Sequence, residues 1–276
     1  MMSKSKAHVI IPTHSAHDTL AFAVLSALNQ SVPPYRVTII GDGVTTEVRK
    51  VAEELARNFT EVEFLDHPKL ENRGEQYRDW VITTSDADFI SYLCDDDLYM
   101  PNHLEIMSKH LEEFDFVHPR PTFLNSRGTV SFVRSGIESQ EMRSWHKLEP
   151  PQNTISLTGA SHTRKSYLSL EEGWSAGPPE IWTDLYMWVK FFRNPEVSTF
   201  TSPFTTTIKL MYKKESRELL NRSEIIEHWY RVTRQPEKLA HFRGQIEIQY
   251  KRISLAWKIT APLGKHKSRL ELLFRQ

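Results

Sequence analysis

Three carboxylates in succession, Asp95, Asp96 and Asp97, close an apolar run in the stretch ISYLCDDDLYMP, from Ile90 to Pro101. Adjacent carboxylates repel one another, and the cost rises at the end of a buried segment unless a cation or a set of donors offsets it. One reading is an acidic approach to the helix after Pro101, stabilised by the helix dipole, with Asp97 satisfying turn amides. The other is a seat for a hard cation. Oxygen donors of this kind suit Mg²⁺ or Mn²⁺, and sites with one or two carboxylates leave substrate phosphates and water to complete the shell.

The elements around the triplet repeat one pattern. AHVII (Ala7 to Ile11) reads as a β-branched strand stopped by Pro12, and DTLAFAVLSALN (Asp18 to Asn29) has helical spacing with Asp18 as N-cap. VTII (Val37 to Ile40) leads through the turn GDG to a helix over 45–59, and VEFL (Val62 to Leu65) leads to a helix over 74–84. DFISYL (Asp88 to Leu93) leads through the acidic loop to a helix over 102–113. Strands alternating with helices of this length imply right-handed crossovers and a mainly parallel α/β sheet covered on both faces, with ligands gathering at the carboxyl ends of the strands. Thr13 to Ser15, Asp42 and the aspartate triplet all fall at such ends.

Past Phe116 the regularity weakens. A hairpin is expected around Asn125 to Gly128, then the loop LEPPQN, a strand over Thr154 to Thr163, a helix over Thr183 to Phe192 and a Thr-rich strand-like stretch from Val197 to Met211. This half is expected to build a pocket wall. From about Ser216 the chain reads as helices with a break near Pro236, too short for an independent core.

Composition limits the function classes. The 276 residues are 39% hydrophobic, enough for a core, and Lys plus Arg balance Asp plus Glu at 35 each, so no overall basic field draws the chain to nucleic acid. Cys94 is the only cysteine, which excludes an internal disulfide and a Cys-based zinc site and fits a reducing cytosol. The twelve histidines show no helix-face pairing of the kind that binds zinc. The apolar run before Pro12 is too short for a signal peptide and no later segment approaches a membrane span, so a cytoplasmic protein is expected.

Four segments together resemble the inverting glycosyltransferases of family 2, with the GT-A fold. VIIPTHSA (Val9 to Ala16) is similar to the family's opening strand and Pro-Thr turn, and IIGDG (Ile39 to Gly43) to its nucleotide-recognition turn. ENRGEQYRDW (Glu71 to Trp80) resembles its Asn-x-Gly and Arg segment. ISYLCDDDLYMPNHLE (Ile90 to Glu105) resembles its Asp-x-Asp metal segment, most closely that of the spore-coat polysaccharide members. The resemblance runs from about Val9 to Trp188. It implies a Rossmann-like GT-A domain over 1–215, with a nucleotide-binding half (1–115) and an acceptor-binding half (116–215), followed by a helical extension over 216–276.

The resemblance also implies roles. Pro12 and Thr13 would lie against the nucleotide of a UDP- or dTDP-sugar, Asp42 would accept the imide N–H of uracil or thymine, and Arg78 would face the base or diphosphate. Asp95 would bond the ribose or help with the metal, and Asp96 would ligate Mn²⁺ or Mg²⁺. Gly41 and Cys94 depart from the commonest pattern, standing where many members carry acids, which leaves the ligand to be chosen among Asp95, Asp96 and Asp97. In GPPEIWTDLYMWVKFF (Gly177 to Phe192), Thr183 replaces the first acid of the family's pair and Asp184 matches the second, the base for a glycan or lipid-linked acceptor, with Glu180 in reserve.

Other residues carry two readings each. Trp174 and Trp182 suit stacking on pyranose faces or core packing. His162 and Arg164 suit the diphosphate or acceptor, or a plain strand end. The basic, apolar segment after Tyr250, with Trp257, Ile259, Leu263, Leu270, Leu272 and Phe274, suits an anionic membrane surface or a helix packed on the domain or a second copy. Two rival classes remain to be weighed. A nucleotidyltransferase would carry a Gly-rich loop with a basic residue after its first strand, which PTHSAHDT lacks. A non-catalytic nucleotide-sugar or carbohydrate-binding module of the same fold differs only in releasing no nucleoside diphosphate.

Overall fold

The computed structural model describes residues 5–120, 122–125, 129–132, 136–211 and 221–260. The first half follows the expected alternation: β1 (Ala7–Thr13), α1 (Leu20–Leu28), β2 (Arg36–Asp42), α2 (Thr46–Asn58), β3 (Val62–His67), α3 (Glu75–Thr84) and β4 (Phe89–Tyr92). A short strand β5 (Leu98–Tyr99) precedes α4 (His103–His110). The second half contributes β6 (Phe116–His118), β7 (Thr122–Asn125), β8 (Val130–Phe132), α5 (Gln140–Ser144), β9 (Ser161–Thr163), α6 (Arg164–Leu168) and α7 (Thr183–Arg193). Then come β10 (Thr199–Thr201), β11 (Thr207–Met211), α8 (Arg222–Arg234) and α9 (Pro236–Thr260).

The strands form two sheets, one of seven strands in the order β10-β6-β9-β4-β1-β2-β3 and one of four in the order β5-β11-β7-β8. In the large sheet β1 pairs in parallel with β2 and β4, β2 with β3, and β6 with β10, while β9 runs antiparallel between β4 and β6. Both faces are buried, which is why β1 reads as a continuous apolar run. Val9 and Ile11 pack with Leu20, Val24, Val48 and Leu104 of α1, α2 and α4, whereas Ile10 packs with Ile82, Trp188 and Phe191 of α3 and α7. Polar positions inside the sheet are paired: His8 meets Ser85 Oγ at 2.8 Å and Thr38 Oγ1 at 2.7 Å.

Several expectations are corrected. Pro12 does not stop β1, which continues to Thr13. Pairing with β4 ends at Ile10, so the proline lies where only β2 flanks the strand. Asp18 does not cap α1; the cap position is Thr19, and Asp18 instead meets Arg222 at 3.5 Å. The long strand expected over Thr154 to Thr163 is strand only at β9. Asn153 explains this, because its side chain donates to the Ile155 carbonyl at 2.8 Å and accepts the Ile155 amide at 2.9 Å, replacing a ladder with a local turn. The Val197 to Met211 stretch divides into β10 and β11 in different sheets.

The expected hairpin turn at 126–128 lies outside the described residues, but the flanking β7 and β8 pair antiparallel. The break at Pro236 is present, between α8 and α9. Those helices cover the small sheet: Ile226, Val232, Leu239, Phe242 and Ile246 share one apolar cluster with Leu98, Leu124, Phe132 and Ile208. The boundary at 215 and the tail from Leu263 to Phe274 lie outside the described residues. Among the described residues no helix is long and apolar enough to cross a membrane.

Candidate active site

The carboxyl ends of β1, β2 and β4 open onto a cleft of about 680 Å³. One lining group comes from those strand ends and α3: Pro12, Thr13, Asp42, Arg78 and Asp95. A second comes from irregular chain in the other half: the segment Asn153 to Leu157, Trp182, Thr183 and Asp184. Six of the seven side chains anticipated as site residues therefore meet in one cavity. Asp96, the seventh, sits beside it with its carboxylate in a cluster with Cys94 Sγ and Asp97, the ligand atoms within 4.8 Å of one another.

Asp42 is the last residue of β2 and is held on both oxygens. Oδ1 accepts the Leu70 amide at 2.8 Å, Oδ2 accepts the Lys69 ammonium, and the Asp42 carbonyl meets His14 Nδ1 at 3.0 Å. Gly41, before it, is closely packed: a Cβ there would lie 3.0 Å from Val44 Cγ1 and 3.1 Å from the Phe64 ring. An acid at this position would have to displace the packing under the turn.

Arg78 projects from α3 and is buried. Its guanidinium lies 4.4 Å from the centroid of the Trp174 ring, and its nearest carboxylate oxygen, on Glu75, is 3.9 Å away. Nε is buried without a hydrogen-bond partner, and burial pulls the guanidinium below its ordinary value. A buried guanidinium with an unpartnered N–H at a cleft wall is chemically able to meet an anion.

The aspartate triplet divides by environment. Asp97 is fully buried and accepts from Thr158 Oγ1 at 2.5 Å, Lys209 Nζ at 3.2 Å and the Leu210 amide at 2.9 Å, so it ties the acidic turn to β11. Burial pulls the Lys209 ammonium down, but the Asp97 charge outweighs it and raises the group overall. Asp95 is partly buried, and burial together with the neighbouring Asp96 pushes its carboxyl up to about 7. Burial also pushes the Cys94 thiol up to about 12, so it stays protonated and is a poor partner for a hard cation. With Asp97 committed to the scaffold, the carboxylates that could offer oxygen donors to Mg²⁺ or Mn²⁺ are Asp95 at the cleft and Asp96 beside it.

Asp184 lies in the first turn of α7, where its Oδ1 accepts the Leu185 amide at 2.8 Å. Burial raises its carboxyl above the ordinary range, opposed by that amide and by the charges of Lys209 and Arg73. The reserve acid Glu180 is exposed and does not line the cleft. His162 and Arg164 also lie elsewhere. His162 is buried against Tyr92 Oη at 2.8 Å, and Arg164 donates to the carbonyls of Ile82 and Thr83 at 3.0 and 2.6 Å. Trp174 is 4% exposed and donates to Tyr92 Oη at 2.9 Å, whereas Trp182 is 50% exposed at the cleft. Sequence reasoning passed over Lys69 and Arg73, which line the cleft from the loop between β3 and α3. Their signal was available: two basic residues just past the carboxyl end of a strand.

A strand-ordered α/β sheet with an acidic turn after β4 and a second, small sheet beside it is the GT-A architecture. The sequence profile of glycosyl transferase family 2 matches residues 8–168, more than half the chain, and the chain belongs to that family. An uncharacterized glycosyltransferase of Rickettsia bellii is 26% identical over 123 residues, 45% of this chain and 17% of that protein. The uncharacterized glycosyltransferase RC0461 of Rickettsia conorii is 25% identical over 142 residues, 50% of this chain and 23% of that protein. The chain thus spans less than a quarter of these relatives. Crystal structures of S. aureus TarS residues 1–349 share the fold. The form with UDP-GlcNAc gives a TM-score of 0.55 at 14% identity over 75% of this chain and 59% of that one. The form with UDP gives 0.52 at 16% identity over 96% and 76%.

Proposed function

We propose that the chain is an inverting glycosyltransferase that moves a sugar from a UDP- or dTDP-sugar to a hydroxyl of a glycan or lipid-linked acceptor. The observation that carries this reading is the single cleft, in which Asp42, Arg78 and Asp95 from the strand ends share a cavity with Asp184 from the second half. The nucleotide complexes of TarS support a donor of this class.

In this reading the base lies against Pro12 and Thr13 with its imide N–H on Asp42, and Arg78 meets the donor's negative charge. The acceptor oxygen gives its proton to Asp184 and bonds to the anomeric carbon, while the bond from that carbon to the diphosphate oxygen breaks. A divalent cation held by Asp95 and Asp96 would neutralise charge on the departing diphosphate. The raised carboxyl of Asp184 makes it a stronger base than an exposed aspartate, with a pH limb above the ordinary carboxylate range.

The test is a panel of nucleotide sugars scored by thermal shift with and without Mn²⁺, followed by release of nucleoside diphosphate from the best binder. UDP- or dTDP-sugars are expected to raise the melting point, and the cation to enlarge the shift. Binding without any release, even with acceptor glycans present, would favour the non-catalytic module; no shift from any nucleotide sugar would remove the donor reading.

A further inference from the structure

Arg78 stands at the cleft with little to aim it. Among the described residues no hydrogen bond holds its guanidinium: Nε has no partner, and the Glu75 carboxylate at 3.9 Å is too distant for one. What it does touch is the Trp174 ring, 4.4 Å from Cζ to the centroid. A guanidinium stacks on an indole face, so the place of that ring decides where the arginine points.

The platform is itself pinned from two elements. On one side the Tyr167 hydroxyl of α6 accepts the Trp174 amide at 2.7 Å and donates to Asp79 Oδ1 at 2.6 Å, and Asp79 is the neighbour of Arg78 on α3. The fit is close, since a Cβ on Gly173 would run into both Asp79 Oδ1 and the Tyr167 hydroxyl. On the other side Lys190 of α7 spends all three N–H donors on the residues around Trp174. They go to the Gly173 carbonyl at 2.6 Å, Ser175 Oγ at 2.7 Å and the Glu172 carboxylate at 2.7 Å. The chain either side of the indole is thus held by two side chains that do not line the cleft.

We propose that Tyr167 and Lys190 are positioning residues for the donor, acting through Trp174 to aim Arg78 at its negative charge. This rests on the donor reading and says how one of its side chains is held. The second half of the chain then reaches across to set a side chain of the first. The bonds lost with either residue lie behind the indole, so their effect on a ligand passes through the arginine. It therefore falls on the charged part of the nucleotide and spares the nucleoside.

The experiment is a double-mutant cycle on the full chain, read by calorimetric titration in the presence of Mn²⁺ below the melting point of each variant. The ligands are UDP or dTDP, whichever the wild type binds, and the matching nucleoside. Lys190→Met and Tyr167→Phe are each expected to weaken the diphosphate about tenfold and to leave the nucleoside within about twofold. Lys190→Arg, which keeps donors for the loop, is expected to restore diphosphate binding to within about threefold. With Arg78→Met already in place, adding Lys190→Met is expected to change diphosphate affinity by less than about twofold. Equal weakening of diphosphate and nucleoside, or a full Lys190→Met effect in the Arg78→Met protein, would overturn the proposal, since the loop would then serve the fold alone. Wild-type affinities in both single variants would overturn it too. A wild type that binds neither UDP nor dTDP removes the donor reading before any variant is made, and this proposal with it.

Discussion

The two linings of the cleft are held by different means. Thr13 and Asp42 are the final residues of ladder strands, Thr13 opposite Gly41 and Asp42 opposite His67, so their positions follow from the register of the sheet. The second lining has no ladder. Its chain is fixed by side-chain donors: Trp188 Nε1 donates to the Ile155 carbonyl at 3.2 Å, and Lys190 Nζ donates to the Gly173 carbonyl at 2.6 Å and Ser175 Oγ at 2.7 Å. In the proposed reaction the strand-end lining meets the nucleotide of the donor, and the loop lining meets the acceptor. Rigid backbone fixes side chains precisely, and loops on that frame can vary without disturbing it.

The sharpest way to separate the linings is to disable one and read the other. Asp184→Asn keeps the shape of the side chain and removes its basicity. Transfer is expected to fall about 10³-fold while affinity for the donor nucleotide stays within about twofold. Single-turnover assays beside nucleotide titrations check this, and near-normal turnover would end the assignment of the base.

The sheet under the strand-end lining makes a second prediction. Burial lowers His8, His103 and His118 to about 3 and His146 and His162 to about 4, so all five are neutral in the folded chain. The unfolded chain binds these protons near pH 6.5. The folded values lie below the unfolded one, so the stability is present above about pH 6.5 and drains away as pH falls towards 4 and 3, at roughly 1–2 kcal/mol per histidine by pH 5. Urea midpoints are expected to drop steeply between pH 7 and 5, and a flat midpoint over that range would contradict the burial of these rings.

Asp97 tests whether the acidic turn is one unit or two. Asp97→Ala leaves Lys209 without its partner and three donors without an acceptor, at a cost of about 3–5 kcal/mol. Asp96→Ala is expected to cost less stability than Asp97→Ala and to diminish the Mn²⁺-dependent part of any thermal shift. Equal losses of stability would mean that the triplet acts as a single scaffold.

What the sequence revealed follows the same division. Strand and helix periods placed Asp42 and the triplet at strand ends, because a parallel sheet makes its carboxyl edge a consequence of pattern. Pattern could not separate Asp97 from its neighbours, since its partners Thr158 and Lys209 are distant in the chain and belong to stretches without clear periodicity. The segment from Thr154 was misread as strand because Thr, Ile and Leu favour β-structure, while the Asn153 turn that overrides them needs only one side chain. Lys69 was passed over because its pairing with Asp42 depends on a loop closure that two left-handed glycines permit, and glycine alone does not say what approaches it.

The smallest effect concerns the two tryptophans, which the sequence could not tell apart. Trp174 packs edge-on to Tyr92 and Trp188 beneath Arg78, so its removal strikes the core and the strand-end lining together. Trp182 sits at the cap position of α7 without a side-chain capping bond and keeps half its surface free. An indole in that position offers a flat face to the C–H face of a pyranose. Trp182→Ala is therefore expected to raise the acceptor KM about tenfold, or about 1.4 kcal/mol, without moving the melting point or the donor affinity. Trp174→Ala should instead lower the melting point and weaken donor binding, and if the two variants behaved alike, the separation of the cleft into donor and acceptor linings would fail.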